Sequence, residues 1–313
     1  MTLNFVGRDI LSAKDFTREE FDYLIEWGQK MAADQSQASP EFVNILQGKV
    51  LASLFFEPST RTRLSFESAM LRLGGSVIGF ASGDVSSTKK GETLADTIRT
   101  VANYADAIVM RHNLEGAQRL AAEFSTVPII NAGSGAGEHP TQAMLDLLTM
   151  KSELGTIDGL TIGFAGDLKF GRTVHSLAYV LSNYDVNLYF ISPKNLPMQN
   201  RVLETLMSKQ VKYKIGNNLQ KVIPELDVLY MTRIQKERFA DIEEYEKLKG
   251  AFILHADDLV SAKEEMIVMH PLPRVDEIHP SVDETTHARY FQQVKYGLYM
   301  RMAILGLILG GLK

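Results

Sequence analysis

The sequence of 313 residues contains no cysteine. Disulfides, cysteine-ligated zinc and thiol catalysis are therefore excluded. It also lacks an excess of positive charge. Its 33 Lys and Arg against 38 Asp and Glu leave a formal net charge of −5, so nothing electrostatic points to nucleic acid as a partner. Local basic clusters are better matched to small anions. No apolar run reaches the ~20 residues that a membrane-spanning helix needs. The one long stretch, Met302 to Leu312, is broken by Gly306, Gly310 and Gly311 and reads as the buried end of a C-terminal helix. Residues Met1 to Phe16 mix Asn, Arg, Asp and Lys among their apolar positions, so they form no signal-peptide core. The expectation is a cytoplasmic protein with neither nucleic acid nor membrane as partner. There is no G-x-x-x-x-G-K-[ST] loop, no fixed-period repeat and no low-complexity segment.

What is present is an alternation of two patterns. Val50–Phe56, Ser76–Phe80, Ala107–Met110 and Val127–Asn131 read as strands. Thr60–Leu73, Leu94–Tyr104, Gly116–Phe124 and Thr141–Leu154 read as helices, with Gly74-Gly75 stopping the first. The second half repeats the pattern with strands expected at Leu160–Ala165, Asn187–Ile191, Val211–Ile215, Asp227–Met231, Ala251–His255 and Ile267–Met269. Such alternation predicts parallel sheets covered on both faces. The length exceeds what one core usually serves. The fold class expected is α/β, with two doubly wound parallel-sheet domains joined by helices and the active site in the interdomain cleft. The first domain would span 1–150 and the second 151–283, with Gly155 to Gly159 near the junction. A long amphipathic helix over 284–313 would return to the first domain, its stripe carried by Phe291, Val294, Leu298, Met302 and Leu305.

In open α/β sheets ligands bind beyond the carboxyl ends of strands, and the polar clusters of this chain fall there. The most telling is Ser59-Thr60-Arg61-Thr62-Arg63, between a strand and a helix. Unpaired N–H groups and the helix dipole attract an anion at such a turn, and hydroxyls and guanidinium forks add donors. The plain alternative is a Ser-capped helix with a basic first turn, which the dipole disfavours. Arg111 follows the third strand. Gly133 to Gln142 follows the fourth, with His139 and Gln142 three apart at a helix start and Pro140 suited to its first turn. Ser86 to Glu92 reads as an exposed polar loop or as a mobile clamp on phosphate. In the second half, Arg172 opens a helix and Arg233 and Gln235 share one side of an extended segment, an arrangement suited to carboxylates. Surface salt bridges are the alternative there. His270-Pro-Leu-Pro-Arg274 is a rigid turn, structural or offering carbonyls to an amine, with Leu272–Pro273 a candidate cis bond.

These residues resemble the aspartate/ornithine carbamoyltransferase family. Phe56-Glu-Pro-Ser-Thr-Arg-Thr-Arg63 is similar to its carbamoyl-phosphate motif, and His139-Pro-Thr-Gln142 and His270-Pro-Leu-Pro-Arg274 are similar to motifs shared across it. Lys89 to Glu92, Gly166 to Lys169, Gly171 to Ser176 and Met231 to Arg238 look like the aspartate-specific branch. The resemblance runs from about Ile10 to the C-terminal helix. It implies transfer of the carbamoyl group of carbamoyl phosphate to L-aspartate, in pyrimidine biosynthesis, without a cofactor or metal. By the same resemblance Ser59, Thr60, Arg61, Thr62 and Arg111 would hold the phosphate. Thr62, Arg111 and His139 would polarise the carbamoyl oxygen, and Gln142 with the Pro271 carbonyl would hold its amino group. Arg172, Arg233, Gln235 and the backbone of Leu272 would bind aspartate. Glu57 would bridge to Arg172 and Arg238 when the domains close. Ser86 and Lys90 would come from a neighbouring subunit, which implies a homotrimer with shared sites; association with regulatory chains is a further implication. Phe170 departs from the Tyr of close relatives and removes one hydroxyl near the second-domain loop.

Overall fold

A computed structural model describes residues 3–37, 40–85, 87–135, 137–234 and 252–312. The chain divides into two compact units, Met1–Leu148 with Val294–Lys313, and Thr149–Gln293. The first unit holds a sheet of β1 (Val50–Phe55), β2 (Ser76–Phe80), β3 (Ala107–His112) and β4 (Ile129–Ser134), in the order β2-β1-β3-β4. Every pairing is parallel. Its helices are α1 (Arg18–Gln35), α2 (Thr60–Arg72), α3 (Leu94–Val101), α4 (Ala117–Phe124) and the start of α5 (Pro140–Leu154). β1 is buried along nearly its whole length because helices cover both faces of the sheet. On one side Ala52 and Leu54 pack with Ile98, Ile108, Met110, Ala121 and Ile129. Each fully buried aliphatic side chain of this kind contributes roughly 1.5–3 kcal/mol.

The second unit carries β5 (Thr161–Ala165), β6 (Asn187–Ile191), β7 (Lys212–Gly216), β8 (Val228–Met231) and β9 (Ile267–Met269), ordered β7-β6-β5-β8-β9 and again all parallel. α6 (Arg172–Leu181) and α7 (Asn200–Ser208) belong to it. In both sheets the chain lays strands outward on one side and then jumps to the other. The jump lies between β1 and β3 in the first sheet and between β5 and β8 in the second. At such a switch point the two adjacent loops leave in opposite directions and open a crevice at the carboxyl ends of the strands.

Three sequence expectations need correction. The expected strand Ala251–His255 does not form: among its described residues Leu254 makes a single bridge to Ile278, because the segment meets a lone extended residue rather than a sheet edge. The C-terminal helix, α8, is Tyr290–Ile308, starting later than expected. Pro280 opens a short 3-10 turn instead, and Val268 bridges to Ala288, which holds residues before α8 extended. The apolar stripe of α8 is also displaced. Phe291 and Val294 are exposed, whereas Met300 and the run Met302–Leu305 are buried, so α8 is buried around its later turns rather than along one face.

Candidate active site

In the first unit, three neighbouring strands end at one edge of the sheet, and a predicted site residue stands at the end of each strand or in the chain that leaves it. After β1 comes Glu57, then Ser59 as the residue capping α2. Ser59 has the extended backbone of a cap, yet its side chain makes no capping hydrogen bond. Thr17 and Thr93, at the starts of α1 and α3, do accept backbone N–H groups. The Ser59 hydroxyl and the first N–H groups of α2 are thus not spent on each other, and the first turn holds no acidic residue. Thr62 is buried within that turn. The plain Ser-capped helix is not what forms.

Arg111 lies in β3 beside Phe55 of β1, and its carbonyl accepts the N–H of Phe56 at 2.9 Å. Its Nε stands 3.2 Å from Glu57 Oε2, with the arginine side chain only 12% exposed. Glu57 is therefore the charge neighbour of Arg111 in this structure, close enough to pair but not aligned for a hydrogen bond between these two atoms. The neighbouring His112 imidazole is pushed below its ordinary pKa by burial, partly opposed by the Glu57 charge.

The loop after β4 is held from both sides. Gln118 donates to the carbonyls of Met110 at 3.3 Å and Gly133 at 3.0 Å, tying the ends of β3 and β4 together. Glu138 accepts from the Ser12 hydroxyl at 2.7 Å and the Ala13 N–H at 3.0 Å. Gly135 has φ +46, and a Cβ there would lie 2.4 Å from the Asn113 carbonyl, so only glycine fits the turn. His139 precedes Pro140, the first residue of α5, and its carbonyl accepts the Gln142 N–H at 3.0 Å. His139 and Gln142 are both buried. Gln142 Nε2 donates to Asp146 Oδ1 at 2.9 Å.

In the second unit the loops after β5, β8 and β9 share the same edge of their sheet. Gly166 has φ +118, and its hydrogen faces the Thr232 carbonyl where a Cβ would approach to 2.1 Å. The loop then turns on Asp167, whose Oδ1 accepts the N–H groups of Lys169 and Phe170 at 3.1 and 2.9 Å. His175 Nε2 meets the Leu168 carbonyl at 2.7 Å, and burial holds its pKa below the ordinary imidazole value. These contacts deliver Arg172 as the first residue of α6, half-buried, at a helix start whose cap Gly171 supplies no side chain. Arg233 follows β8 two residues after Met231 and is likewise half-buried.

The turn after β9 is built on a buried pair. His270 Nε2 lies 2.6 Å from Glu277 Oε1, with side chains 1% and 5% exposed. His270 Nδ1 accepts the Leu272 N–H at 2.8 Å, so the ring's donor must be Nε2–H, directed at the carboxylate. Glu277 Oε2 accepts the N–H groups of Val275 and Asp276 at 3.1 and 3.2 Å. Burial is the largest influence on the Glu277 pKa and raises it, but the His270 bond and charge together with the backbone N–H groups outweigh it, and the net direction is down. Leu272 is held at φ +48, and the Leu272–Pro273 bond is cis as expected. Arg274 is taken up by Asp283 and by the Tyr290 hydroxyl, which makes it a brace of the turn.

The first unit thus gathers Ser59, Thr60, Arg61, Thr62, Arg111, His139 and Gln142 at one sheet edge, and the second gathers Arg172, Arg233, Pro271 and Leu272 at another. Lys90 ends a short turn, Ser87–Lys90, after the edge strand β2 and is exposed. Ser86, Gln235 and Arg238 lie outside the described residues. Among the described residues no group of three or more His, Asp or Glu side chains is arranged to hold a metal. Sequence reasoning missed Asp146, Glu277 and the role of His270. The spacing of Gln142 and Asp146, one helical turn, was a usable signal for the first.

Comparison with known proteins bears on these two clusters. The sequence profile described as aspartate/ornithine carbamoyltransferase, carbamoyl-P binding domain, matches residues 8–152, and that of the Asp/Orn binding domain matches 158–308. The aspartate carbamoyltransferase catalytic subunit of Thermococcus kodakarensis is 55% identical, over 98% of this chain and 99% of its own. That of Archaeoglobus fulgidus is 54% identical, over 95% and 98%. Among solved structures, aspartate transcarbamoylase from Trypanosoma cruzi in complex with N-(phosphonacetyl)-L-aspartic acid superimposes with a TM-score of 0.92 at 46% identity, covering 97% of each chain. The catalytic subunit of the M. jannaschii enzyme gives 0.88 at 50% identity, over 95% and 96%. With both domain profiles matched in order and relatives more than half identical along nearly the whole length, this chain belongs to the aspartate/ornithine carbamoyltransferase family.

Proposed function

We propose that this protein transfers the carbamoyl group of carbamoyl phosphate to the amino group of L-aspartate, giving N-carbamoyl-L-aspartate and inorganic phosphate in pyrimidine biosynthesis. The observation that carries the reading is the pair of clusters, hydroxyl and arginine donors at the switch point of one sheet and two arginines at the switch point of the other. The relatives from T. cruzi are described with carbamoyl phosphate, with aspartate and phosphate, and with carbamoyl aspartate and phosphate.

In this reading the first unit binds carbamoyl phosphate. Ser59, Thr60, Arg61 and the α2 N–H groups take the phosphate oxygens, since backbone donors at a helix start and a guanidinium fork both match an oxyanion. Arg111 reaches the same group once the ligand displaces Glu57. Thr62, Arg111 and His139 point donors at the carbamoyl oxygen, while Gln142 and the Pro271 carbonyl accept from its amino group. Arg172, Arg233 and Gln235 hold the two carboxylates of aspartate, and the Leu272 carbonyl orients its amine. The amine attacks the carbamoyl carbon and the carbonyl oxygen gains negative charge. The C–O bond to phosphate then breaks, and the departing phosphate takes the amine proton. Donors fixed in advance around that oxygen stabilise the charge more in the transition state than in the substrate, and juxtaposition of the two substrates supplies the orientation factor. Catalysis would take place in the cleft between the domains, with Glu57 bridging Arg172 and Arg238 on closure. Ser86 and Lys90 of a neighbouring copy would complete each site of a cytoplasmic homotrimer, to which regulatory chains could bind.

An assay of phosphate release from carbamoyl phosphate with L-aspartate or L-ornithine tests the assignment. Turnover is expected with aspartate, because two arginines suit a second carboxylate and repel a side-chain ammonium. Product with ornithine alone would reject it.

A further inference from the structure

Gln142 is a symmetrical-looking side chain with opposite ends: one accepts hydrogen bonds and the other donates them. Which end faces a ligand depends on what holds the other. Here Gln142 Nε2 donates to Asp146 Oδ1 at 2.9 Å, one turn along α5, and the two side chains are buried, Asp146 completely. A carboxylate can only accept, so the amide must turn its NH2 towards Asp146 and its carbonyl oxygen away.

The charge on Asp146 has a counterpart. Arg301 of α8 is fully buried, and its pKa falls to about 10 through burial, with the Asp146 charge opposing the fall. A buried guanidinium is costly unless anions and hydrogen-bond acceptors lie near it. Arg301 Nη1 also donates to the Ser65 hydroxyl of α2 at 2.9 Å, and the guanidinium carbon lies 5.1 Å from the Phe66 ring centre. Arg301 thus ties the C-terminal helix to α2 through Ser65 and Phe66, within reach of the Asp146 charge on α5.

We propose that Asp146 is a positioning residue that locks the Gln142 amide with its oxygen towards the substrate. The site thereby selects an acyl phosphate bearing an N–H next to its carbonyl, a carbamoyl group over an acetyl group of the same shape. The inference rests on the reading of Gln142 as a carbamoyl-phosphate ligand. A freely turning amide would present NH2 to NH2 in half its orientations and weaken carbamoyl-phosphate binding by about twofold, whereas an amide held the wrong way round would lose the discrimination. A site built to receive a donor penalises an analogue that lacks it, because its own acceptor is then left unpaired.

The test compares binding of carbamoyl phosphate and acetyl phosphate to the full-length protein, wild type and Asp146→Asn, by calorimetry, with thermal melting as a check of folding. The amide introduced by Asp146→Asn can present its NH2 to Gln142, whose own amide then turns over to accept it. Wild type should prefer carbamoyl phosphate by about tenfold or more. In the variant that affinity should fall to near the level of acetyl phosphate, whose own affinity stays within about twofold. A preference retained in the folded variant overturns the proposal. So does a parallel loss for both ligands, which would make Asp146 a scaffold residue. Should Asp146→Asn not fold, the double variant Asp146→Ala/Arg301→Met removes the acceptor and the buried cation together, and its freed Gln142 amide should lower the preference for carbamoyl phosphate by about twofold. Failure of both to fold also counts against a selective role. A wild-type protein that binds no carbamoyl phosphate would instead reject the functional reading itself.

Discussion

Glu57 and Arg111 illustrate how one carboxylate can stand where a ligand belongs. The pair closes at 3.2 Å beside the α2 start, so an incoming phosphate competes with an anion that the chain itself provides. Charge-neutralising Glu57→Gln should strengthen binding of inorganic phosphate, roughly threefold, since a pair that is partly exposed on the glutamate side is worth only about a kcal/mol or less. Phosphate titration by calorimetry checks this, and weaker binding would show that Glu57 supports the site instead. Residues of this kind were legible in the sequence because a charged side chain just past an apolar strand has few other reasons to be there. Asp146, His270 and Glu277 were not. Their meaning depends on partners brought close only by the fold, such as Arg301 from the far end of the chain or the Leu272 N–H across a tight turn. A buried polar residue looks like any surface one until its burial is known.

At the scale of the element, the starts of helices separate structural from functional use of the same residue types. Thr93 caps α3 by accepting the Asp96 N–H at 3.1 Å, whereas Ser59 caps nothing with its side chain. Thr93→Ala should therefore cost about 1 kcal/mol of stability, and Ser59→Ala only a few tenths. The latter should nonetheless weaken carbamoyl-phosphate binding several-fold, and the former should leave it unchanged. Denaturant melts alongside ligand titrations distinguish the two; a Ser59→Ala protein destabilised as much as Thr93→Ala would return the residue to a capping role. Strands of the two sheets were readable because parallel strands buried on both faces are plain apolar runs, as β1 and β8 are. Ala251–His255 misled for the same reason. An apolar run says that a segment is buried, not that a neighbouring strand awaits it. The beginning of α8 was obscured because the turn opened by Pro280 and the bridge at Ala288 are set by tertiary contacts.

For the whole molecule, the shared-site reading has a direct consequence. Arg61→Ala should abolish carbamoyl-phosphate binding and turnover, and Lys90→Ala should remove most activity if that exposed lysine serves another copy. Mixed trimers of the two variants would rebuild about one intact site in three. Recovered activity after dissociating, mixing and reassociating the pure proteins supports the shared site, and correctly formed hybrids as inactive as their parents would reject it.

The first unit is interrupted in sequence: residues 149–293 separate its body from Val294–Lys313. That last segment is integral to it. The Ile308 carbonyl accepts the Gly7 N–H at 2.9 Å, and Arg301 reaches Ser65. An amino-terminal domain usually folds first during synthesis, but this one cannot complete its core until Val294–Lys313 has been made. Until that segment is available, the earliest-made half of the chain must wait with part of its apolar surface uncovered.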